Sequence, residues 1–205
     1  MSAAPAPIAG IILAGGRASR MGGRDKAFAA VAGEPIAVRT IRLFRDLFPQ
    51  VLVATNRPAR FAGLGVETVA DTFPGCGPLA GIQAAAAASR FPHVFVAGCD
   101  MPALDADVIR FLIGRVGAEF DAIVPCWDDD VEPLHAVYAV RCVPAMEASL
   151  RAGRYAMREF LARLRVDWVS EAELRGLRGA ARSLTNVNTP EELAAVGGRF
   201  DELEP

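Results

Sequence analysis

Between Leu13 and Lys26 the chain reads Leu13-Ala14-Gly15-Gly16-Arg17-Ala18-Ser19-Arg20-Met21-Gly22-Gly23-Arg24-Asp25-Lys26, a run with the composition of an anion cradle. Its four glycines let the backbone bend and approach a ligand with no Cβ in the way. Exposed backbone N–H groups can then face phosphate oxygens. Arg20 adds a planar fork and Lys26 a movable point charge, together enough to neutralise much of a triphosphate. The spacing is neither GxxxxGK[ST] nor GxGxxG, so the run is not one of the two commonest nucleotide loops. The plain alternative is a glycine-rich surface turn with solvated arginines. Against it stands Lys26, the only lysine among 22 basic residues. A solvated position tolerates arginine as well, whereas a tight phosphate site does not readily accept the larger guanidinium.

Further candidates follow the apolar runs downstream. Asn56, in Thr55-Asn56-Arg57, carries an amide able to read a base or ribose with both donors and acceptors. Asp71 can accept from the N–H groups of a purine or from ribose hydroxyls, or can simply cap a turn. Gly75-Cys76-Gly77-Pro78-Leu79-Ala80-Gly81 opens an alanine-rich stretch, and its glycines suit close backbone approach to a ligand. Asp100, in Cys99-Asp100-Met101-Pro102, stands where a Mg²⁺ ligand belongs, since Mg²⁺ takes one or two carboxylates plus phosphates and water. The run Asp128-Asp129-Asp130 between two strand-like segments reads as a polar turn rather than a metal site. Arg154 and Arg158 lie about one helical turn apart and form either a phosphate contact or a solvated basic face.

The elements that must position these residues alternate. Apolar runs at Ile8–Ala14, 51–54, 66–70, 94–97, 122–125, 134–140 and 166–169 read as strands. Helical spacing or composition covers 36–47, 79–89, 105–116, 144–152 and 154–164, with Pro35 in the first-turn position of the first of these. Thr189-Pro190-Glu191-Glu192 gives the last helix an N-cap, an N1 proline and an acidic first turn. Strands alternating with helices imply right-handed βαβ units. The expected fold is therefore α/β, a single three-layer α/β/α domain with a mostly parallel, Rossmann-like sheet. Ligands of such a sheet bind beyond the carboxyl ends of its strands, where the candidates above fall.

Bulk properties narrow the classes. The 205 residues suit one domain, and 52% are hydrophobic. A formal net charge of −2 with no basic block argues against broad nucleic-acid binding. Cys76, Cys99, Cys126 and Cys142 form no CxxC, and His93 and His135 are too scattered for zinc, so four reduced thiols are expected. The first apolar run is too short for a signal peptide or a membrane span, which reads as a soluble, cytoplasmic chain.

The glycine loop resembles, without a gap over fourteen residues, the signature LAGGxxxRMGGxDK of the molybdenum cofactor guanylyltransferases, the MobA family. GPLAGI after Cys76, the CDxP motif at Cys99–Pro102 and NxNTP at Asn186–Pro190 extend the likeness, which runs from Ile8 to about Val196. The resemblance implies that GMP is transferred from GTP to the terminal phosphate of molybdopterin, with Mg²⁺ as cofactor. It assigns Leu13, Ala14, Gly15, Gly16, Lys26, Asn56, Asp71, Gly77, Pro78, Leu79 and Asp100 to the nucleotide. It makes Arg20, Lys26 and Asp100 catalytic, with Asp100 on the metal. It gives Glu132, Pro133, Asn186 and Asn188 to the acceptor. It divides the chain into a nucleotide half at about 8–102 and an acceptor half at about 103–196. The implied partners are GTP, molybdopterin and, transiently, molybdenum-insertion proteins and molybdoenzyme chaperones, with no nucleic acid, no membrane and a monomeric state. The competing readings are a cytidylyl- or sugar-phosphate nucleotidyltransferase and a non-catalytic GTP-binding carrier. GPLAGI and NxNTP count against the first of these. The joint presence of Arg20, Lys26, Asp71 and Asp100 counts against the carrier.

Overall fold

Strand β1 (Ile8–Leu13) is buried at all six positions, as a strand covered on both faces must be. The computed structural model describes residues 7–15 and 26–199. After β1 come β2 (Ala30–Val31), β3 (Glu34–Pro35), α1 (Ile36–Leu47), β4 (Val51–Ala54), β5 (Glu67–Val69), α2 (Pro78–Ala87), β6 (His93–Gly98) and α3 (Ala106–Ile113). Then follow β7 (Ala122–Trp127), β8 (Asp130–Val131), β9 (His135–Ala139), α4 (Val143–Arg151), α5 (Met157–Leu161) and β10 (Val166–Val169). The described chain closes with α6 (Glu171–Leu174), α7 (Ala180–Ser183), α8 (Pro190–Ala195) and β11 (Gly198–Arg199).

The main sheet runs β10-β7-β9-β6-β1-β4-β5, with β8 hairpinned onto β7. Within it β1 pairs parallel with both β4 and β6, β4 with β5, and β10 with β7. Strand β9 is antiparallel to β6 and to β7. The order reverses at β1: the chain steps outward to β4 and β5, then returns to place β6 on the other side. Two apolar layers sandwich this sheet. Ala9, Ile11 and Leu13 face α2, α4 and α5 through Leu79, Ile82, Met146, Leu150 and Phe160. Ile8, Ile12 and Ala14 face α1 and α3 through Ile41, Phe44, Val108 and Leu112. The three-layer α/β/α architecture with a mostly parallel sheet is thus present.

Several boundaries differ from the sequence expectation. The helix expected over 154–164 is only Met157–Leu161, because Gly153 ends α4 with φ 72° and Arg154 N–H donates to Ser149 O at 3.0 Å. Pro35 is not helical: it pairs with Ala30 in a β ladder and stands before α1 with ψ 139°. Helix α3 begins after Asp105, whose carboxylate accepts from Asp107 N–H (2.9 Å) and Val108 N–H (3.3 Å). The small sheet β11-β2-β3 was not anticipated, since two-residue strands carry no periodicity. Asp128 and Asp129 do form a turn, at φ 50° and 60°, which tightens the β7–β8 hairpin. The four cysteines are unpaired thiols.

Gly10 shows how closely β1 is packed. A Cβ there would lie 2.5 Å from one ring carbon of Phe48 and 2.6 Å from one of Phe44. Both rings are buried and lock against Phe95. Gly10→Ala is therefore expected to destabilise the protein by about 1–3 kcal/mol, the usual cost of overpacking a core. Urea unfolding should show a lower midpoint with an unchanged slope.

Candidate active site

Parallel strands place their carboxyl ends at one edge of the sheet, and those of the expected residues that are described lie toward it. Beyond Leu13 the ladder continues for one residue: Ala14 N–H donates to Ala54 O (2.9 Å) and Cys99 N–H to Leu13 O (3.0 Å). Ala14 and Gly15 therefore leave the sheet at the β1/β6 switch point, the standard ligand crevice of such folds. Gly16 and Arg20 lie outside the described residues. The chain is described again at Lys26, which starts a short 3-10 turn to Phe28. That turn is fixed on the core side by fully buried Ala27. Phe28 in turn packs 5.2 Å from Phe61, with the Arg60 guanidinium 4.5 Å from its ring centre.

The Lys26 ammonium donates to Asn188 Oδ1 at 2.9 Å, across 162 residues of sequence. Asn188 is held in turn by the start of α8. Its N–H and that of Thr189 donate to Glu192 Oε2 (2.5 and 3.3 Å), while Glu192 N–H donates to Thr189 Oγ1 (3.2 Å). This capping box leaves both asparagines of the motif free for other work. Val187 between them is buried with Ala29, Ile36 and Leu193, and its N–H donates to Asp100 O at 2.8 Å. The C-terminal motif is thereby stitched to the end of β6.

Asp100 follows β6 directly, and its carboxylate folds back into space that Gly98 leaves open, where a Cβ would overlap Oδ1. Oδ1 is buried and accepts no hydrogen bond. Burial pushes the Asp100 pKa up, while the nearby Lys26 charge and a backbone hydrogen bond oppose that. Glu132 approaches the same place from the opposite direction, because β9 is antiparallel and its beginning lies at this edge. One Glu132 carboxylate oxygen accepts from Asn186 Nδ2 (2.7 Å), the other from Leu134 N–H (3.3 Å). Burial raises its pKa and the Asp100 charge raises it further, against those two hydrogen bonds. Pro133 O is fixed by the buried Tyr138 hydroxyl at 2.8 Å.

On the β4/β5 side Asn56 and Asp71 lock together. Asn56 Nδ2 donates to Asp71 Oδ2 (2.8 Å) and Asp71 N–H to Asn56 Oδ1 (3.0 Å). Asp71 also borders α2, within 3.5 Å of the position a Cβ on Gly81 would take. Gly75 and Gly77 have φ of 78° and 77°, which side chains other than glycine rarely adopt, and Gly77-Pro78 starts α2 with its N-terminus at the same edge. Leu79 is buried, so its side chain belongs to the core and only its backbone faces this end. Sequence spacing gave no signal for two further features: the space at Gly98 that the Asp100 carboxylate fills, and the Glu132–Asn186 pair.

The site suits a divalent cation. Among the described residues no group of three or more His, Cys, Asp or Glu is placed to hold a metal unaided. Mg²⁺ does not require one, because phosphate oxygens and water complete its shell. Asp100 Oδ1, buried without a donor, is the kind of atom that such an ion satisfies.

A family profile described as MobA-like NTP transferase domain matches residues 10–168. A probable molybdenum cofactor guanylyltransferase of Pelotomaculum thermopropionicum is 36% identical over 184 residues, covering 90% of this chain and 89% of the relative. A molybdenum cofactor guanylyltransferase of Burkholderia ambifaria is 36% identical over 214 residues, covering 97% and 100%. Among solved structures, molybdopterin-guanine dinucleotide biosynthesis protein A from Archaeoglobus fulgidus superposes with a TM-score of 0.79 at 27% identity, covering 92% of this chain and 96% of that one. The fold is shared more widely: 2-C-methyl-D-erythritol 4-phosphate cytidylyltransferase from Thermus thermophilus gives a TM-score of 0.62 at 19% identity, covering 91% and 95%.

Burial of Asp100 has a thermodynamic consequence. Its folded pKa lies above the unfolded value, so its stabilising contribution is complete below the ordinary carboxylate range and is lost as pH rises through the folded value. At neutral pH the ionised carboxylate therefore opposes folding of the metal-free protein. Asp100→Asn is expected to raise Tm in a chelator-treated sample at about pH 8, with the gain vanishing near pH 4. Differential scanning calorimetry across that range provides the check.

Proposed function

We infer the activity of this chain from the family to which it belongs, the MobA-like NTP transferases: it moves a GMP unit from GTP to the terminal phosphate of molybdopterin and releases pyrophosphate. The observation that carries the reading is the meeting of Lys26, Asp100 and Asn188 at the mouth of the glycine loop, on the β1/β6 switch point. The product is the guanine dinucleotide form of the cofactor. Residues from about 8 to 102 serve the nucleotide and those from about 103 to 196 the acceptor.

The reaction joins two phosphates. The acceptor phosphate oxygen attacks the α-phosphorus in line, the bond to the bridging oxygen breaks, and pyrophosphate departs with that electron pair. The nucleophile is already anionic, so no general base is needed. Catalysis is then a matter of positioning and charge. Lys26, fixed by its turn and by Asn188, holds a positive charge against the phosphates. Arg20 adds a second charge from the same loop. The backbone of Gly15 and Gly16 holds the triphosphate, and Leu13 and Ala14, tied to the sheet, anchor that turn beside it. The Asn56–Asp71 pair and the Gly77-Pro78-Leu79 turn read the base and ribose. Pro133 and Asn188 line the acceptor side. Bound at Asp100, Mg²⁺ would screen the repulsion between the two reacting phosphates.

Gly15 sets the size of the base that fits. It is exposed, and among the described residues no heavy atom lies within 4 Å of where its Cβ would stand, which leaves that space to a ligand.

Two measurements test this reading. Pyrophosphate release from each of the four ribonucleoside triphosphates, with Mg²⁺ and molybdopterin, should occur with GTP alone. Lys26→Ala should lower kcat by about 10²–10³-fold, the usual cost of removing one charge-stabilising group. Preference for CTP would overturn the base assignment, and GTP binding without release would make the protein a carrier. Gly15→Ala should leave Tm unchanged and raise the KM for GTP more than that for CTP; equal rises for both would remove Gly15 from base selection.

A further inference from the structure

Glu132 lies on the acceptor half by sequence, but its surroundings are those of a cation ligand. It shares its partly buried position with a second carboxylate, Asp100, whose charge acts on it directly. Two like charges brought together out of water repel, and a fold keeps such a pair only where something positive serves both. Lys26 does not fill that role for Glu132. Its ammonium donates to Asn188 Oδ1, whereas the hydrogen bonds that reach the Glu132 carboxylate from described residues come from Asn186 Nδ2 and Leu134 N–H. The third member is Asn186. Its Nδ2 donates to Glu132 Oε2 at 2.7 Å, while its own Oδ1 is buried and accepts nothing. Asp100 Oδ1 is in the same condition. Because Val187 N–H is bonded to Asp100 O at 2.8 Å, the chain holds Asn186 beside Asp100. Two buried oxygens without a partner among the described residues, Asp100 Oδ1 and Asn186 Oδ1, thus accompany the Glu132 carboxylate, contributed by three separate segments.

We propose that Glu132 is a second carboxylate ligand of the divalent cation, with Asn186 Oδ1 as a third protein oxygen, so that the metal links the nucleotide half to the acceptor half of the site. The proposal rests on the reading of Asp100 as a metal ligand and goes beyond it by moving Glu132 and Asn186 from acceptor binding to metal binding. The hard-oxygen donor set selects Mg²⁺ or Mn²⁺ over softer ions. The cation would replace the Asn186–Glu132 hydrogen bond as the neutralising partner of Glu132. The Leu134 N–H, which donates to Glu132 Oε1, holds the carboxylate in place for it, and the Tyr138 hydroxyl fixes the adjoining Pro133 carbonyl.

The test uses Mn²⁺ without nucleotide, with free ion read by electron paramagnetic resonance. Wild type is expected to bind one Mn²⁺. Asp100→Asn and Glu132→Gln should each raise the dissociation constant by about 10-fold or more, since loss even of a group that only supports a ligand costs 10–100-fold. Glu132→Asp, which keeps the carboxylate, should recover part of the affinity and guards against a variant that merely folds poorly. An unchanged constant in Glu132→Gln beside a raised one in Asp100→Asn overturns the proposal and leaves the nucleotidyl-transfer reading intact. An unchanged constant in Asp100→Asn removes the metal role of Asp100 as well. No Mn²⁺ binding by wild type overturns the proposal, because two carboxylates and an amide oxygen, with water completing the shell, should hold the ion without nucleotide. Pyrophosphate release by wild type separately decides whether the transfer reaction itself stands.

Discussion

Strand β1 is buried on both faces and paired in parallel on both sides, and the rest of the molecule is arranged around that requirement. All six of its residues are buried, and it pairs parallel with β4 on one side and β6 on the other. Parallel neighbours need crossover connections, which put helices on both faces and leave every strand's carboxyl end at one edge. The glycine loop, Asn56, Asp71 and Asp100 all follow such ends. Their proximity is a consequence of chain direction before any side chain is considered. Close packing keeps the strand in place: Gly10 admits the Phe44 and Phe48 rings, and those rings stack onto Phe95 of the neighbouring strand.

A strand that runs against its neighbours completes the site. Strand β9 lies antiparallel between β6 and β7, so its beginning, not its end, reaches the functional edge. That orientation carries Glu132 and Pro133 next to Asp100. A parallel strand in the same slot would have put them at the opposite edge. The C-terminal Asn186–Asn188 segment then closes over the cluster, held by Val187 in a small apolar group and by the capping box of α8. Structural and functional work are divided cleanly there: Thr189 and Glu192 cap the helix, while the asparagine side chains face Lys26 and Glu132.

Electrostatically the site is held in tension. Asp100 and Glu132 are both raised in pKa by burial, and both keep at least one oxygen near unsatisfied or like-charged neighbours. Elsewhere the protein resolves its charges locally. Asp121 accepts from Arg141 (2.9 Å) and Arg165 (3.1 Å), and Arg115 bridges Asp167 (2.7 Å) and Glu173 (2.9 Å). The contrast separates charges that hold the fold from charges kept for a ligand. On the function proposed above, a site that attracts phosphates and a cation cannot also neutralise itself.

Sequence alone determined the alternation of strands and helices, hence the three-layer class, because buried parallel strands need continuous apolar runs and covering helices need their own pattern. It also singled out Lys26, Asn56, Asp71, Asp100 and the asparagine motif as candidates, from motifs that lie between the predicted elements. Tertiary structure alone decided which of these meet. The Lys26–Asn188 contact spans 162 residues and the Asn186–Glu132 contact 54, distances over which no local pattern carries information. The direction of β9, the space at Gly98 and the two-residue strands of the small sheet were equally invisible. Periodicity reports which face of an element is buried. It does not report the element's direction, or what lies on the other side of the contact.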